Sequence, residues 1–348
     1  MKCLKFFIIL VIFCKTGNVL SDDNIFSVNN IELIKTANIN NQKLANQAIK
    51  KGYSILLEKI LLEEDAKNLS QLKFQQVREL VSYYQISGKG KSIDNKEKVN
   101  FNILFDKDKI HDLFYKKNIL YSEISNKELF VLPIFKKENQ TFIYNQNFFY
   151  KNWNFDKKKE SLIEFILPLE NIEVIQKISI YKDDLLSINL EDIFVEYSSA
   201  NFALIFIEDG KKTEEKIFLK TRVEGKNVDR NIVVKRGNLN DKEFYKRIIS
   251  KTRREITNII KSQNLIDVRT PSFLNTKLIL NKKNSLVELN KRLKNIDLID
   301  NIYVQEFNSN YVLIKIKYLG KLNKIINQLK SQKIMLELLN NKWSLRII

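Results

Sequence analysis

Cysteine is nearly missing from this 348-residue chain, with only Cys3 and Cys14, and both fall inside an N-terminal segment read below as a removed leader. Disulfide staples, thiol catalysis and cysteine-based zinc sites are therefore not expected of the mature protein. Histidine is scarcer still: the chain has one, His111. A metal-binding histidine normally has partners of like kind, and a Ser-His-Asp triad would have to spend this one residue without a Gly-x-Ser-x-Gly elbow to present the serine. Eight glycines and three prolines are too few for a collagen or a Gly/Pro-rich linker, and no Gly-rich phosphate loop is present. No apolar run reaches the roughly 20 residues that span a bilayer.

What is present is globular in composition, with 44% hydrophobic and 29% charged residues. The start of the chain has the layout of an export signal. Lys2 and Lys5 precede the nine-residue apolar run Phe6 to Cys14, and Val19-Leu20-Ser21 offers tolerated side chains for cleavage before Asp22; a charged region, a short apolar core and a polar end are the marks of a secretory leader. Nine apolar residues are too short for a membrane anchor. A lipoprotein reading of Cys14 is disfavoured by bulky Phe13 before it and Lys15 after it. The expected location is therefore the periplasm.

Charge is uneven. Residues 22–160 hold 23 basic and 18 acidic side chains, residues 161–270 hold 19 and 18, and residues 271–348 hold 14 and 5. A positive field attracts nucleic acid, anionic head groups or acidic polymers. The same excess also follows from a composition saturated with Lys, Asn and Ile, so charge alone does not assign a ligand. Export argues against nucleic acid, and the aromatic run Phe148-Phe149-Tyr150-Lys151-Asn152-Trp153 has no nucleic-acid module around it.

The periodicities predict an α/β (α+β) protein built of consecutive small modules with mixed sheets. A first module, 22–160, reads as a strand at 25–34, a helix at 41–62, a shorter helix near 69–80, strands at 81–87 and 99–105 joined through Gly88-Lys89-Gly90, a helix at 106–117 started by Asp106, and a buried strand at 129–135. Gly52 would let the long helix approach its sheet closely. A middle module, 161–270, reads as strand 162–168, a short helix or turn at 170–176, a helix at 190–197, an apolar strand at 202–207, strands near 214–223 and 228–235, and an amphipathic helix at 241–263. Lys246, Arg247, Lys251, Arg253 and Arg254 face away from that helix's apolar side, as on a solvated face or a membrane-surface helix. Thr270-Pro271-Ser272 breaks the chain. A basic third module, 271–348, then has the β-α-β-β-α-β order of ferredoxin-like domains with one added strand.

Several stretches together resemble the exported proteobacterial domain of unknown function 2066: Ala45-Asn46-Gln47-Ala48, Gly52-Tyr53-Ser54-Ile55-Leu56-Leu57, Phe101 to Asp106, Leu129 to Ile134, Leu167-Pro168-Leu169-Glu170-Asn171-Ile172-Glu173, Lys315 to Gly320, and Leu336 to Leu345 with Trp343. The family usually shows Asp where Glu170 and Asn171 stand and a more Arg/Ala-rich first helix, which makes this chain a divergent member. The resemblance implies an exported envelope protein of a Gram-negative bacterium with no established reaction.

No catalytic, metal or cofactor site is expected. The run Asp106-Lys107-Asp108-Lys109-Ile110-His111-Asp112 could be imagined as a carboxylate–histidine metal site, yet it reads better as a capped first helical turn. The paired carboxylates Glu63-Glu64-Asp65, Asp183-Asp184, Glu191-Asp192 and Glu208-Asp209 sit at expected turns and helix starts. The expected activity is docking onto another envelope protein. The alternative is binding of an anionic polymer or lipid surface through Lys277, Lys282, Lys283, Lys291, Arg292 and Lys294; an unannounced carboxylate hydrolase is the third reading.

Overall fold

The computed structural model describes residues 24–36, 40–91, 97–124, 127–138, 140–155, 163–181, 184–197, 200–210, 213–280, 285–339 and 342–348. The expected leader, Asp183, Lys282 and Lys283 lie outside them. The chain forms two compact units, one made of residues up to Tyr121 together with Ile266–Ile348, the other of Ser122–Leu265.

The first unit opens with strand β1 (Ser27–Lys35), helix α1 (Asn41–Ile60), helices α2 (Glu63–Leu69) and α3 (Phe74–Glu79), strands β2 (Val81–Lys91) and β3 (Glu97–Phe105), and helix α4 (Lys107–Lys117). The strands form an antiparallel sheet in the order β1-β3-β2. Asn40 caps α1 by accepting from the Lys43 amide at 2.8 Å, which satisfies one of the free amides of the first turn. Leu44, Ala48, Ile49, Tyr53 and Leu56 of α1 are buried. Gly52 does what its size suggests: a Cβ there would come within 2.9 Å of Cδ1 of both Ile103 and Ile31. Gly88-Lys89-Gly90 does not turn the chain but continues β2 opposite Asn100, Val99 and Lys98. The single helix expected near 69–80 is two, parted at Ser70 to Lys73.

The second unit contains β4 (Lys127–Lys137), β5 (Gln140–Phe142), α5 (Phe148–Asn152), β6 (Ile163–Ile166), α6 (Ile172–Ile180), α7 (Leu190–Ile193), β7 (Asn201–Asp209), β8 (Glu214–Val223), β9 (Lys226–Lys235) and α8 (Asp241–Gln263). Its sheet runs β9-β8-β7-β4-β5, with β6 also against β4. Strand β4 is parallel to β7 over Leu129↔Asn201 through Lys137↔Asp209, and β7 to β9 form an antiparallel meander. Both faces are covered: Ala203, Ile205 and Ile207 pack with Phe244, Ile248 and Ile256 of α8, while Phe202, Leu204 and Phe206 pack with Val174, Ile178 and Ile193 of α6 and α7. A strand buried on two faces needs apolar residues at both parities, which is why 202–207 is continuously hydrophobic.

The chain returns to the first unit with β10 (Ser272–Ile279), α9 (Ser285–Leu293), β11 (Ile299–Phe307), β12 (Tyr311–Tyr318), α10 (Leu322–Ser331), β13 (Ile334–Leu339) and β14 (Lys342–Ile347). The sheet order is β11-β12-β10-β14-β13. The arrangement β11-β12-β10 is that of a ferredoxin-like domain. The added last strand is not appended at the edge, however: β14 inserts beside β10, parallel to it through Thr276↔Trp343 to Leu278↔Leu345, and displaces β13 outward. Gly320, at φ +80, supplies the left-handed turn between β12 and α10.

The modules expected at 22–160, 161–270 and 271–348 are thus regrouped. The strand assigned to the first module is the centre of the second unit's sheet, because β4 is apolar on both faces and finds parallel partners in β6 and β7. The first and third modules share one core, in which Phe26, Leu56 and Phe105 belong to the same buried cluster as Leu278, Leu293 and Ile316. Polar ties join them too: the Ile25 amide donates to Asp297 Oδ2 at 3.2 Å and Lys107 Nζ to the Ile299 carbonyl at 2.7 Å. No described helix is long and apolar enough to cross a membrane.

Candidate functional site

The C-terminal sheet has one face packed on its helices and one face open. Strand alternation sends Leu274, Thr276 and Leu278 of β10 and Val312, Ile314 and Ile316 of β12 inward, where all are buried; α9 and α10 cover that side with Leu289, Leu293, Ile325 and Leu329. The opposite parity then faces outward. It carries Phe273, Asn275, Lys277 and Ile279 on β10 and Tyr311, Leu313, Lys315 and Lys317 on β12. Phe273 and Ile279 are each 51% exposed.

Two lysines on this face rest on rings. Lys277 Nζ is 4.1 Å from the Tyr311 centroid and Lys315 Nζ is 4.4 Å from that of Phe273. The register pairs Phe273 with Lys317, Asn275 with Lys315, Lys277 with Leu313 and Ile279 with Tyr311, so each contact is a diagonal cross-strand pair. The result is a ladder of ring, ammonium, ammonium, ring across β10 and β12. Tyr303 of β11 stands opposite Lys315 on its other side. Two other cations of the face have carboxylate partners: Lys317 Nζ is 2.6 Å from Asp300 and Arg346 Nη2 is 3.7 Å from Glu337, and the bond to Asp300 holds the Lys317 ammonium above its ordinary pKa; exposed Lys342 of β14 shares the parity of Ser344 and adds a further positive charge at the edge. Glu306 is engaged by the Tyr311 hydroxyl at 2.7 Å.

No family model matches this chain, and no curated protein does. Among solved structures, a crystal structure described only as that of an uncharacterized protein is similar over 40% of this chain and 94% of its own, at 10% identity and a TM-score of 0.18; a likeness of that size carries no argument.

The four described residues among the basic set singled out in the sequence, Lys277, Lys291, Arg292 and Lys294, do not form one surface. Lys277 is on the open sheet face. Lys291, Arg292 and Lys294 belong to α9 or its end, on the side of the sheet where Leu289 and Leu293 are buried. Arg292 is committed to holding the fold: it donates to Glu288 at 2.8 Å and to the main-chain carbonyls of Gln332, Lys333 and Ile348 at 3.2, 2.9 and 3.3 Å. The residues that the sequence reading missed are Lys315, Phe273, Tyr303 and Tyr311. Their signal was there, since Tyr311, Leu313, Lys315 and Lys317 share one parity.

The other sequence candidates resolve into structural roles. Asp106 caps α4 by accepting from the Asp108 and Lys109 amides at 3.1 and 3.2 Å. His111 points inward, with ring centroids 5.5 Å from Phe26 and 5.4 Å from Tyr121, and burial lowers its pKa to about 4. Among the described residues there is no group of three His, Cys, Asp or Glu side chains placed to hold a metal ion.

Glu208 and Asp209 point to opposite sides of β7 and make no pair. Glu208 is exposed beside Lys136 at 3.9 Å, while buried Asp209 accepts from Arg236 at 2.9 Å and from the Tyr245 hydroxyl, with Lys137 at 3.8 Å. Burial and that carboxylate push the Tyr245 hydroxyl well above its ordinary pKa. The basic face of α8 is likewise used within its own unit: Arg247 and Lys251 donate to the Lys235 and Val233 carbonyls at 3.0 and 2.6 Å, and Arg253 lies 5.0 Å over Phe165. This is a packed helix rather than a membrane-surface one.

A second kind of surface lies in the second unit. Between β6 and β7 the chain exposes Leu169 (81%), Ile172 (72%), Ile180 (77%), Leu186 and Val195. Asn171 caps α6 through the Glu173 amide at 2.8 Å, and Lys177 donates to the Asp192 carbonyl at 2.9 Å, so α6 and α7 are tied together.

Proposed function

We propose that this chain is an exported, non-enzymatic envelope protein that docks onto another protein in envelope assembly or maintenance, using the apolar surface of α6 and its flanks. The observation that carries this reading is the concentration of five exposed large aliphatic side chains, Leu169, Ile172, Ile180, Leu186 and Val195, within one stretch of the chain. Contiguous exposed apolar patches mark interaction surfaces, whereas scattered single residues do not, so adducts to one partner from several of these positions are the sign of a patch. Residues 169–173 also fall in the Leu-Pro-rich turn that carries part of the family resemblance. The periplasmic location rests on the leader pattern of residues 1–21.

The test is a photo-crosslinking amino acid placed at Ile172 and at Ile180 in the cell, with Lys291 as a control position and washes at low and high salt. One dominant protein adduct at 172 and 180, retained in high salt and lost in an Ile172→Ser/Ile180→Ser variant probed from Leu169, is the expected result. Adducts no different from those at Lys291 defeat the docking reading. N-terminal sequencing of the same material should begin at Asp22.

A further inference from the structure

We infer that the open face of the C-terminal sheet is a binding site for an acidic polysaccharide, a chain of carboxylated sugars, with Lys277 and Lys315 as its charge-reading residues. This inference is independent of the docking reading, which concerns the other unit.

The two lysines differ from their neighbours in how they are held. Lys317 and Arg346 have carboxylate partners, which fix them and cancel their charge. Lys277 and Lys315 lie on Tyr311 and Phe273 at 4.1 and 4.4 Å. A ring restrains an ammonium through its quadrupole and leaves the net charge in place for a ligand. The pair sit diagonally on adjacent strands, so together they present two positive charges in a fixed relation. Segment 271–348 carries 14 basic and 5 acidic residues, a background field that favours a polyanion.

The groups around the lysines fit a sugar chain. Half-exposed Phe273 and Tyr303 offer flat apolar area for the C–H faces of pyranose rings. Asn275 and Ser344 lie on the same face and supply hydrogen-bond partners for hydroxyls. A flat, open sheet suits an extended polymer rather than a small molecule, which needs a concave site. Single-stranded nucleic acid has related requirements, because bases also stack on aromatic side chains. Here Phe273 and Tyr311 each carry an ammonium on one face, which leaves fewer free ring faces than a run of stacked bases uses.

The test titrates the full chain with polygalacturonate, with its fully methyl-esterified neutral form and with an oligothymidylate. Saturable binding of polygalacturonate that weakens with added salt, and no binding of the ester, is expected. Lys277→Gln/Lys315→Gln should weaken it by about tenfold or more, the size of one lost charged contact. Lys291→Gln/Lys294→Gln, which removes equal charge from the helix side, should leave it within about twofold, and Phe273→Ala should weaken it without flattening the salt dependence. Circular dichroism confirms folding of each variant. Equal losses in the two lysine pairs, equal binding of the neutral ester, tighter binding of the oligothymidylate, or no binding of polygalacturonate would each overturn the inference.

Discussion

Lys277 Nζ stands 4.1 Å from the centre of the Tyr311 ring, and Arg292, from the same basic segment, bonds three main-chain carbonyls near the end of the chain. Two cations that look alike in the sequence thus have opposite duties: one keeps its charge available at a surface, and the other spends its donors on the fold. Arg292→Ala should lower stability by about 1–2 kcal/mol, as expected when hydrogen bonds to a charged group are lost. Lys277→Gln should change it by less than about 0.5 kcal/mol, as for an ordinary surface site. Urea denaturation of the two variants checks this, and equal effects would contradict the assignment.

Gly52 is set by the distance between helix α1 and its sheet. Alanine would gain up to about 1 kcal/mol of helix propensity but would drive a methyl to 2.9 Å from Ile31 and Ile103, an overpacking cost of about 1–3 kcal/mol. The net expectation for Gly52→Ala is a loss of about 1 kcal/mol. Partial recovery with Ile103→Val in the same chain, which removes one of the two opposing Cδ1 atoms, would show that the clash is the cause.

His111 makes the fold acid-sensitive. Its pKa is lowered from 6.5 to about 4, chiefly by burial, so the unfolded chain takes up a proton before the folded one does. The stabilisation is complete above about pH 6.5 and is lost as pH falls from there toward 4, with a total of roughly 3 kcal/mol. His111→Leu should remove this component. The measurement is the unfolding free energy of both proteins from pH 7.5 to 4.5; curves that stay parallel throughout would show that His111 does not contribute.

Asp209 anchors the ends of β4, β7 and β9 through Lys137 and Arg236, and receives the Tyr245 hydroxyl from α8. Asp209→Ala takes the acceptor from the buried Tyr245 hydroxyl and leaves Arg236 and Lys137 with Asp241 alone, and should cost about 2 kcal/mol. Tyr245→Phe should cost about 1 kcal/mol. The double variant should cost less than the sum of the two, because both changes remove the same bond; strict additivity in thermal or chemical unfolding would mean that the two side chains act separately.

Much of the fold was legible locally. Apolar periodicity placed α1, α4, α8 and the strands of the C-terminal sheet, and Asp106 declared its cap, since each depends on residues within a few turns of one another; Gly52 signalled a close approach, but its partners Ile31 and Ile103 are distant in sequence. The continuation of β2 through Gly88-Lys89-Gly90 departs from the expected connection because pairing with β3 overrode local turn chemistry, and the single helix expected near 69–80 is instead parted at Ser70 to Lys73. The candidate site was half legible. Basic residues could be counted, but their faces could not be assigned until β10 and β12 had a common register.

The sequence by itself determined the α+β class, the element order of the C-terminal module, the scarcity of cysteine and histidine chemistry, and the excess of positive charge, because composition and period are properties of the chain. Only the tertiary structure decided that β4 belongs to the second unit, that the first and last modules share a core, that β14 inserts beside β10, and that Lys277 and Lys315 face outward together while Arg292 is held by the backbone. Those outcomes depend on which distant segments bury one another's apolar faces, and a strand's own residues do not name its partner.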